Sequence, residues 1–252
     1  MTKILITGVN GLIGGVVRRA LADRYELRGL GRTPVDGLDS VTADLVDLAA
    51  IKPAFVGIDC VVHLAAGLPS KGSAGQAMID VNVTGTYNVF EAAREAGVKR
   101  VVFASSGAVI SGWEKTEPYA TLVSGKGEPR PAHVPMLTHE TPIRPGGLYG
   151  ATKAWGEAIG RTYADQHGIS VLCVRIGHVT ASDRPEALPR SRSIWCSHRD
   201  VAQLITRCLE APATLAFDIF YGSSQNELGY RDLEHGRDVL GFVPEDSAER
   251  VG

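Results

Sequence analysis

Lys3-Ile4-Leu5-Ile6-Thr7-Gly8-Val9-Asn10-Gly11-Leu12-Ile13-Gly14 runs from a short apolar segment through a glycine-rich turn into the start of a helix. Residues 3–7 are continuous and β-branched, as a strand buried on both faces requires. From Leu12 to Arg24 apolar residues recur at helical spacing (Leu12, Ile13, Val16, Val17, Ala20, Leu21). Between the two, Gly8 permits a tight turn, Gly11 lets backbone approach a pyrophosphate, and Gly14 lets helix pack on strand. The helix N-terminus offers free N–H groups and a positive dipole end to phosphates. In a chain with 29 glycines such a triplet also arises by chance. The strand before it and the helix after it favour a dinucleotide site, built from Gly8, Asn10, Gly11, Leu12, Ile13 and Gly14, over a purely structural turn.

Outward from that turn the pattern repeats. Residues 26–30, 41–43, 59–66 and 100–104 read as strands, and 47–56 as a short helix capped by Asp47. Residues 75–96 read as one helix. After a proline-rich stretch from Ser111 to Pro145, which includes Pro129, Pro131 and Pro135, come a helix over 149–166 and a strand over 169–175. A helix over 199–210, a strand over 217–221 and a last helix over 232–240 follow, and the tail after Phe242 is expected to fray. Strands alternating with helices mean βαβ units with right-handed crossovers. The expected fold is α/β, a Rossmann-type doubly wound parallel sheet in a single domain spanning 1–252. A small C-terminal portion would join in substrate binding, with elements from about 107–148 and 177–252. The 111–145 segment is expected to be a long loop.

Composition narrows the function classes. The chain has 252 residues, 44% hydrophobic and 21% charged, with a formal charge of −2. That excludes a disordered chain or a fibrous rod. It gives no electrostatic reason to expect a nucleic-acid or membrane-surface partner. Cys60, Cys173, Cys196 and Cys208 form no motif with metal-ligand spacing, so no metal site is expected and the thiols read as buried and reduced. No run approaches the length of a membrane span, and the N-terminus enters a strand at once, leaving no room for a signal peptide. The expected compartment is the cytoplasm.

The chemistry concentrates at strand ends. Tyr149-Gly150-Ala151-Thr152-Lys153 opens a helix with Tyr and Lys four apart, on one face. A phenol titrates near 10 and is a poor base at neutral pH. An ammonium on the same face, aided by a nicotinamide's positive ring, would make phenolate accessible. Ser105-Ser106 ends a strand, where a hydroxyl faces the crevice at the carboxyl edge. Asp44-Leu45 fits either an adenine edge or a helix N-cap. Leu64-Ala65-Ala66 supplies small residues where backbone nears a cofactor, while His63 in its apolar strand reads as a core histidine. The second strand ends Leu30-Gly31-Arg32, without the acid that holds ribose hydroxyls in NAD sites. Arg32 there favours NADP, or is a solvated loop residue.

Taken together the chain resembles the extended short-chain dehydrogenase/reductase family, also called the NAD-dependent epimerase/dehydratase family. The resemblance rests on Thr7-Gly-x-x-Gly-x-x-Gly, the strand ending His63-Leu64-Ala65-Ala66, Asn82 in Val-Asn-Val-Thr-Gly-Thr, Ser105-Ser106 and Tyr149-x-x-x-Lys153. By position it implies Ser106, Tyr149 and Lys153 as catalytic. It also implies Asn82 and Ile176 beside the cofactor, and a homodimer paired through the 75–96 and 149–166 helices. Only about a hundred residues follow Tyr149, little room for the domain that holds a sugar nucleotide. The second half is similar to the uronate dehydrogenase group, in Arg144-Pro-Gly-Gly-Leu-Tyr-Gly150, Val174-Arg-Ile-Gly177 and Ser193-Ile-Trp-Cys-Ser-His-Arg-Asp200. That group implies an arginine carboxylate clamp five residues before Trp195, which is Arg190. Three departures stand out. Gly107 replaces an asparagine, His178 replaces a small hydroxylated residue, and the forty-three residues from Ser106 to Tyr149 exceed the group's spacing. The implied activity is NAD(P)-dependent oxidation of a uronate or related aldose at the anomeric carbon to a lactone, with Ser106, Gly107, His178 and Arg190 about the substrate. A sugar or sugar-nucleotide epimerase/dehydratase and a non-catalytic NAD(P) sensor are the alternatives.

Overall fold

In the computed structural model, which describes residues 1–68, 75–125 and 134–251, seven strands form one parallel sheet. They are β1 (Lys3–Thr7), β2 (Glu26–Gly31), β3 (Asp39–Thr42), β4 (Cys60–His63), β5 (Arg100–Ser106), β6 (Ser170–Ile176) and β7 (Phe217–Gly222). Their order is β3-β2-β1-β4-β5-β6-β7. The chain leaves β1 in one direction and returns at β4 on its other side, so a crevice opens where the connections diverge. The helices between strands are α1 (Leu12–Leu21), α2 (Leu48–Ile51), α3 (Gly75–Ile79), α4 (Thr86–Glu95), α5 (Tyr119–Ser124), α6 (Leu148–His167), α7 (Pro189–Ile194) and α8 (His198–Glu210). Beyond the sheet lie α9 (Glu234–Leu240) and α10 (Ala248–Val251).

Alternation along the strands divides the core into two layers. Ile4, Ile6, Val62 and Val102 pack with Val16 and Val17 of α1 and Val201, Leu204 and Ile205 of α8. Leu5, Val61, Val101 and Phe103 pack on the other side with Val89 and Phe90 of α4 and Tyr163 of α6. Both faces of the sheet are therefore covered, which is why its strands read as continuous apolar runs. Gly156 brings α6 close to the sheet, since a Cβ there would lie 2.3 Å from the Phe103 ring. That approach carries the first turns of α6 to the carboxyl end of β5.

The expected 75–96 helix is interrupted. Asp80–Gly85 forms a π-helical turn between α3 and α4, the kind of irregularity often found at functional sites. Asp47 caps α2 as expected, accepting from the Ala50 N–H at 3.0 Å. The 111–145 stretch is not wholly irregular: Ser111–Lys115 is a 3-10 helix and α5 follows, while Pro129 and Pro131 lie outside the described residues. Nor does the tail fray. Phe242 and Ala248 are fully buried, and Asn226 accepts from the Ala248 N–H at 3.0 Å. Asp200 accepts from the Glu245 N–H at 2.8 Å. Side chains on α8 and after β7 thus satisfy backbone that the sequence, lacking a periodic pattern there, left without partners. α7 was not anticipated. No helix among the described residues is long and apolar enough to cross a membrane. Cys173, Cys196 and Cys208 are buried free thiols and Cys60 is a half-buried one.

Candidate active site

A cleft of about 1140 Å³ opens at the carboxyl ends of β1, β4 and β5. One end is formed by the glycine turn. Gly8 has φ +68°, and a Cβ there would lie 2.7 Å from the Ala65 nitrogen. A Cβ on Gly14 would strike the Gly8 carbonyl oxygen at 2.3 Å, so glycine is what lets α1 start this close to the turn. No side chain caps α1, and Gly11, Leu12 and Ile13 line the cleft. Uncapped first-turn N–H groups on a cleft wall are a ready anion site. Asn10 Nδ2 donates to Thr33 Oγ1 at 2.8 Å and to the Pro34 carbonyl at 3.2 Å, fixing the segment after β2. Arg32, which is exposed, follows the Leu30-Gly31 end of β2 and lines the same cleft, as do Asp44 and Leu45. Asp44 turns its carboxylate to the Val46 N–H, 3.1 Å away. Leu64, Ala65 and Ala66 floor the cleft. A site of this volume with a phosphate-ready helix end and a wall of small residues fits a dinucleotide.

At the other end the cleft is lined by Ser106, Tyr149, Lys153, Ile176 and His178. Tyr149 and Ser106 share this lining, and Ser106 Oγ accepts from the Ala108 N–H at 3.1 Å. Burial pushes the Tyr149 phenol above its ordinary value, and the nearby Ser106 hydroxyl opposes that rise. Lys153 is 2% exposed. Its Nζ donates to the Ala104 carbonyl at 2.8 Å and lies 5.8 Å from the Tyr149 ring centre. Burial lowers the Lys153 ammonium to about 8, against the opposing charge of Glu157. His178 Nδ1 pairs with Ser191 Oγ at 2.9 Å. The spacing of four in α6 thus places phenol and ammonium together, beside a hydroxyl at the end of β5.

Three expected site residues lie elsewhere. Asn82 is 2% exposed, inside the π turn. It accepts from the Gly67 N–H at 2.7 Å and donates to the Gly67 carbonyl at 3.0 Å and to Thr152 Oγ1 at 3.1 Å. It ties the cleft floor to α6 rather than lining the cleft. Gly107 is buried, and the guanidinium of Arg231 fills the space its Cβ would take. Arg190 is outside the cleft lining; its Nε donates to Glu114 Oε2 at 2.5 Å, with nearly half of its side chain in solvent. His63 is the core histidine expected, held between Thr7 Oγ1 at 2.7 Å and Thr86 Oγ1 at 3.0 Å. Burial, with the nearby Lys153 charge, drops it to about 3, so it is neutral.

Sequence reasoning missed the support beneath the site. Ser105 Oγ donates to Glu157 Oε1 at 2.5 Å, and Arg175 grips both oxygens of that carboxylate at 2.9 Å. Arg175 also donates to Tyr221 Oη at 3.1 Å. The only available signal was Glu157 one turn after Lys153, and it names no partner. The cysteine and histidine spacings likewise gave no hint that His139, Asp218 and His235 bring ligand atoms within 4.8 Å of one another. There His235 Nε2 pairs with Asp218 Oδ1 at 2.9 Å, and the two imidazoles stack at 3.7 Å.

The comparisons agree with this geometry. A family model described as the NAD dependent epimerase/dehydratase family matches residues 4–239. An NAD-dependent glucose-6-phosphate dehydrogenase of Haloferax volcanii is 34% identical, covering 97% of this chain and 94% of its own length. An L-arabinose 1-dehydrogenase (NAD(P)(+)) from the same organism is 35% identical across 100% of this chain and 99% of its own. The crystal structure of a mutant uronate dehydrogenase from Agrobacterium tumefaciens, complexed with NAD, matches with a TM-score of 0.82 at 34% identity. It covers 99% of this chain and 87% of that one. The resemblance to uronate dehydrogenase drawn from residues 144–200 is therefore borne out over the whole chain.

Proposed function

The chain belongs to the NAD dependent epimerase/dehydratase family, and from that premise we propose that it is an NAD(P)-dependent dehydrogenase of a sugar-like substrate. The reaction oxidises the anomeric carbon of a uronate or related aldose to the lactone. The observation that carries this reading is that Ser106, Tyr149 and Lys153 line the same cleft as the glycine turn, with Lys153 Nζ 5.8 Å from the Tyr149 ring centre. When bound, the nicotinamide accepts hydride from the carbinol carbon. Ser106 Oγ holds the reacting oxygen, and Tyr149 Oη takes its proton as general base. The Lys153 ammonium, fixed on the Ala104 carbonyl, stabilises the phenolate and leaves donors for the nicotinamide ribose. Gly8, Asn10, Gly11, Leu12, Ile13 and Gly14 receive the pyrophosphate, and Asp44, Leu45, Leu64, Ala65, Ala66 and Ile176 flank the rest of the cofactor. Asn82 acts from beneath, as a positioning residue.

Arg32, with no acid at the end of β2, supports NADP over NAD. The segments 107–148 and 177–252 supply the substrate side, with His178 in its wall. The exposed side chains of Tyr87 and Leu148, at the starts of α4 and α6, support a homodimer paired through those helices. The unpaired thiols suit a reducing compartment, and we assign the enzyme to the cytoplasm. A screen of purified protein with NAD+ and NADP+ separately, against galacturonate, glucuronate and neutral aldoses, tests the reading through reduced nicotinamide absorbance. Net reduction with a sugar, faster with NADP+, is expected. A sugar interconverted with no net reduction would replace the dehydrogenase with an epimerase.

A further inference from the structure

His139, Asp218 and His235 each bring a ligand atom to within 4.8 Å of the other two. They reach that point from three separate parts of the chain. Asp218 and Phe220 alternate onto one face of β7. The first turn of α9 covers that face, with the His235 ring stacked on the Phe220 ring at 5.2 Å between centres. His235 Nε2 then lies 2.9 Å from Asp218 Oδ1. His139 sits in a turn closed by the Thr141 N–H on the Thr138 carbonyl at 3.1 Å. The Thr138 N–H donates to Thr141 Oγ1 at 2.9 Å, so the turn is held from both ends. From it the His139 ring lies 3.7 Å from that of His235.

An ion pair between His235 and Asp218 needs no third member. His139 adds a second imidazole, and its Nδ1 is buried with no hydrogen-bond partner among the described residues. Native interiors rarely leave a ring nitrogen so, because the loss of its water is not offset. Two imidazoles and a carboxylate are a three-ligand nitrogen and oxygen set for a borderline divalent ion such as zinc. Magnesium and calcium, which take all-oxygen shells, are poorly served by it. His235 and Asp218 keep 21% and 16% of their side-chain surface in solvent, so an ion has a way in. Ligands at about 2.1 Å around a tetrahedral ion stand about 3.4 Å apart. The cluster closes to that spacing by side-chain rotation that opens the imidazole stack.

We propose that His139, Asp218 and His235 form a binding site for a zinc-class divalent ion, which ties the 134–145 segment to β7 and α9. None of the three lines the cleft, so the ion's role is structural. That role reaches the active site through one chain of bonds. Tyr221 Oη donates to the Thr138 carbonyl at 3.1 Å and accepts from Arg175 at 3.1 Å. Arg175 in turn holds Glu157 beneath Ser105. The site is independent of which reaction the cleft performs.

In the test, untagged protein freed of metal with a chelator is titrated with Co2+ as a spectroscopic probe, then with Zn2+. One Co2+ per chain is expected, with visible absorption bands that Zn2+ abolishes. Zn2+ raises the melting temperature, and excess Mg2+ does not. His139→Asn and Asp218→Asn each weaken Co2+ binding by more than about 100-fold, the most that loss of a group merely supporting a metal ligand costs. Either variant alone decides the matter if the other does not fold. A wild type that takes up no Co2+ at micromolar concentration overturns the proposal. So does a folded H139N that keeps the wild-type spectrum and affinity.

Discussion

Lys153 holds an ammonium in the interior, 2% exposed, with its proton held less tightly than in water. The folded value of about 8 lies below the ordinary 10.5. Between those values the unfolded chain binds more protons than the folded one, so stability rises with pH from about 8 to 10.5. The size of that rise is roughly 3 kcal/mol. In Lys153→Met the rise disappears, which melting curves of both proteins across that range will measure. A parallel rise in the two would place the titration elsewhere. At this scale the sequence was readable wherever a role depends on local spacing. The glycines at 8, 11 and 14 and the Tyr149–Lys153 pair needed only a helix to bring them to one place. Arg190, Gly107 and Asn82 were not readable, because Glu114, Arg231 and Gly67 decide what those residues do, and each is remote in sequence.

Elements show the same division. β1, β4 and β5 are legible because burial on both faces makes them continuous apolar runs. The π turn at Asp80–Gly85 is not, since one extra residue per turn leaves the helical pattern nearly intact while it turns Asn82 inward. The tail after Phe242 lacks period altogether and is held by Asp200, Gln203 and Asn226, which no local pattern connects to it. α4 and α6 pack together on one layer and leave Tyr87 and Leu148 about half in solvent. If these helices form the dimer face, light scattering gives a mass twice 26.8 kDa, and Tyr87→Glu lowers it toward the monomer. A wild-type monomer at micromolar concentration would remove the dimer from the account.

For the whole molecule, sheet order converts a list of motifs into a site. The β3-β2-β1-β4-β5-β6-β7 order puts the glycine turn and the α6 cluster at opposite ends of one cleft. That cleft gathers residues from positions 8 to 179. Its cofactor end follows from the turn and is shared by oxidoreductases, epimerases and sensors alike. Only the other end separates them. A sensor would have no use for Ser106, Tyr149 and Lys153 gathered in one cleft, nor for the Glu157–Arg175 pair that braces Ser105 below them. The substrate end was least legible of all, since the packing of Arg231 on Gly107 and the bridge from Trp195 to His178 are contacts that only the fold creates. The central claim is that Tyr149 is the base for hydride transfer out of a sugar. The most direct test is steady-state turnover of Tyr149→Phe beside its affinity for NAD(P)H. In Y149F kcat is expected to fall on the order of 1,000-fold while cofactor affinity and melting temperature stay near those of the wild type. A folded, cofactor-binding Y149F that turns over within tenfold of the wild type would contradict it.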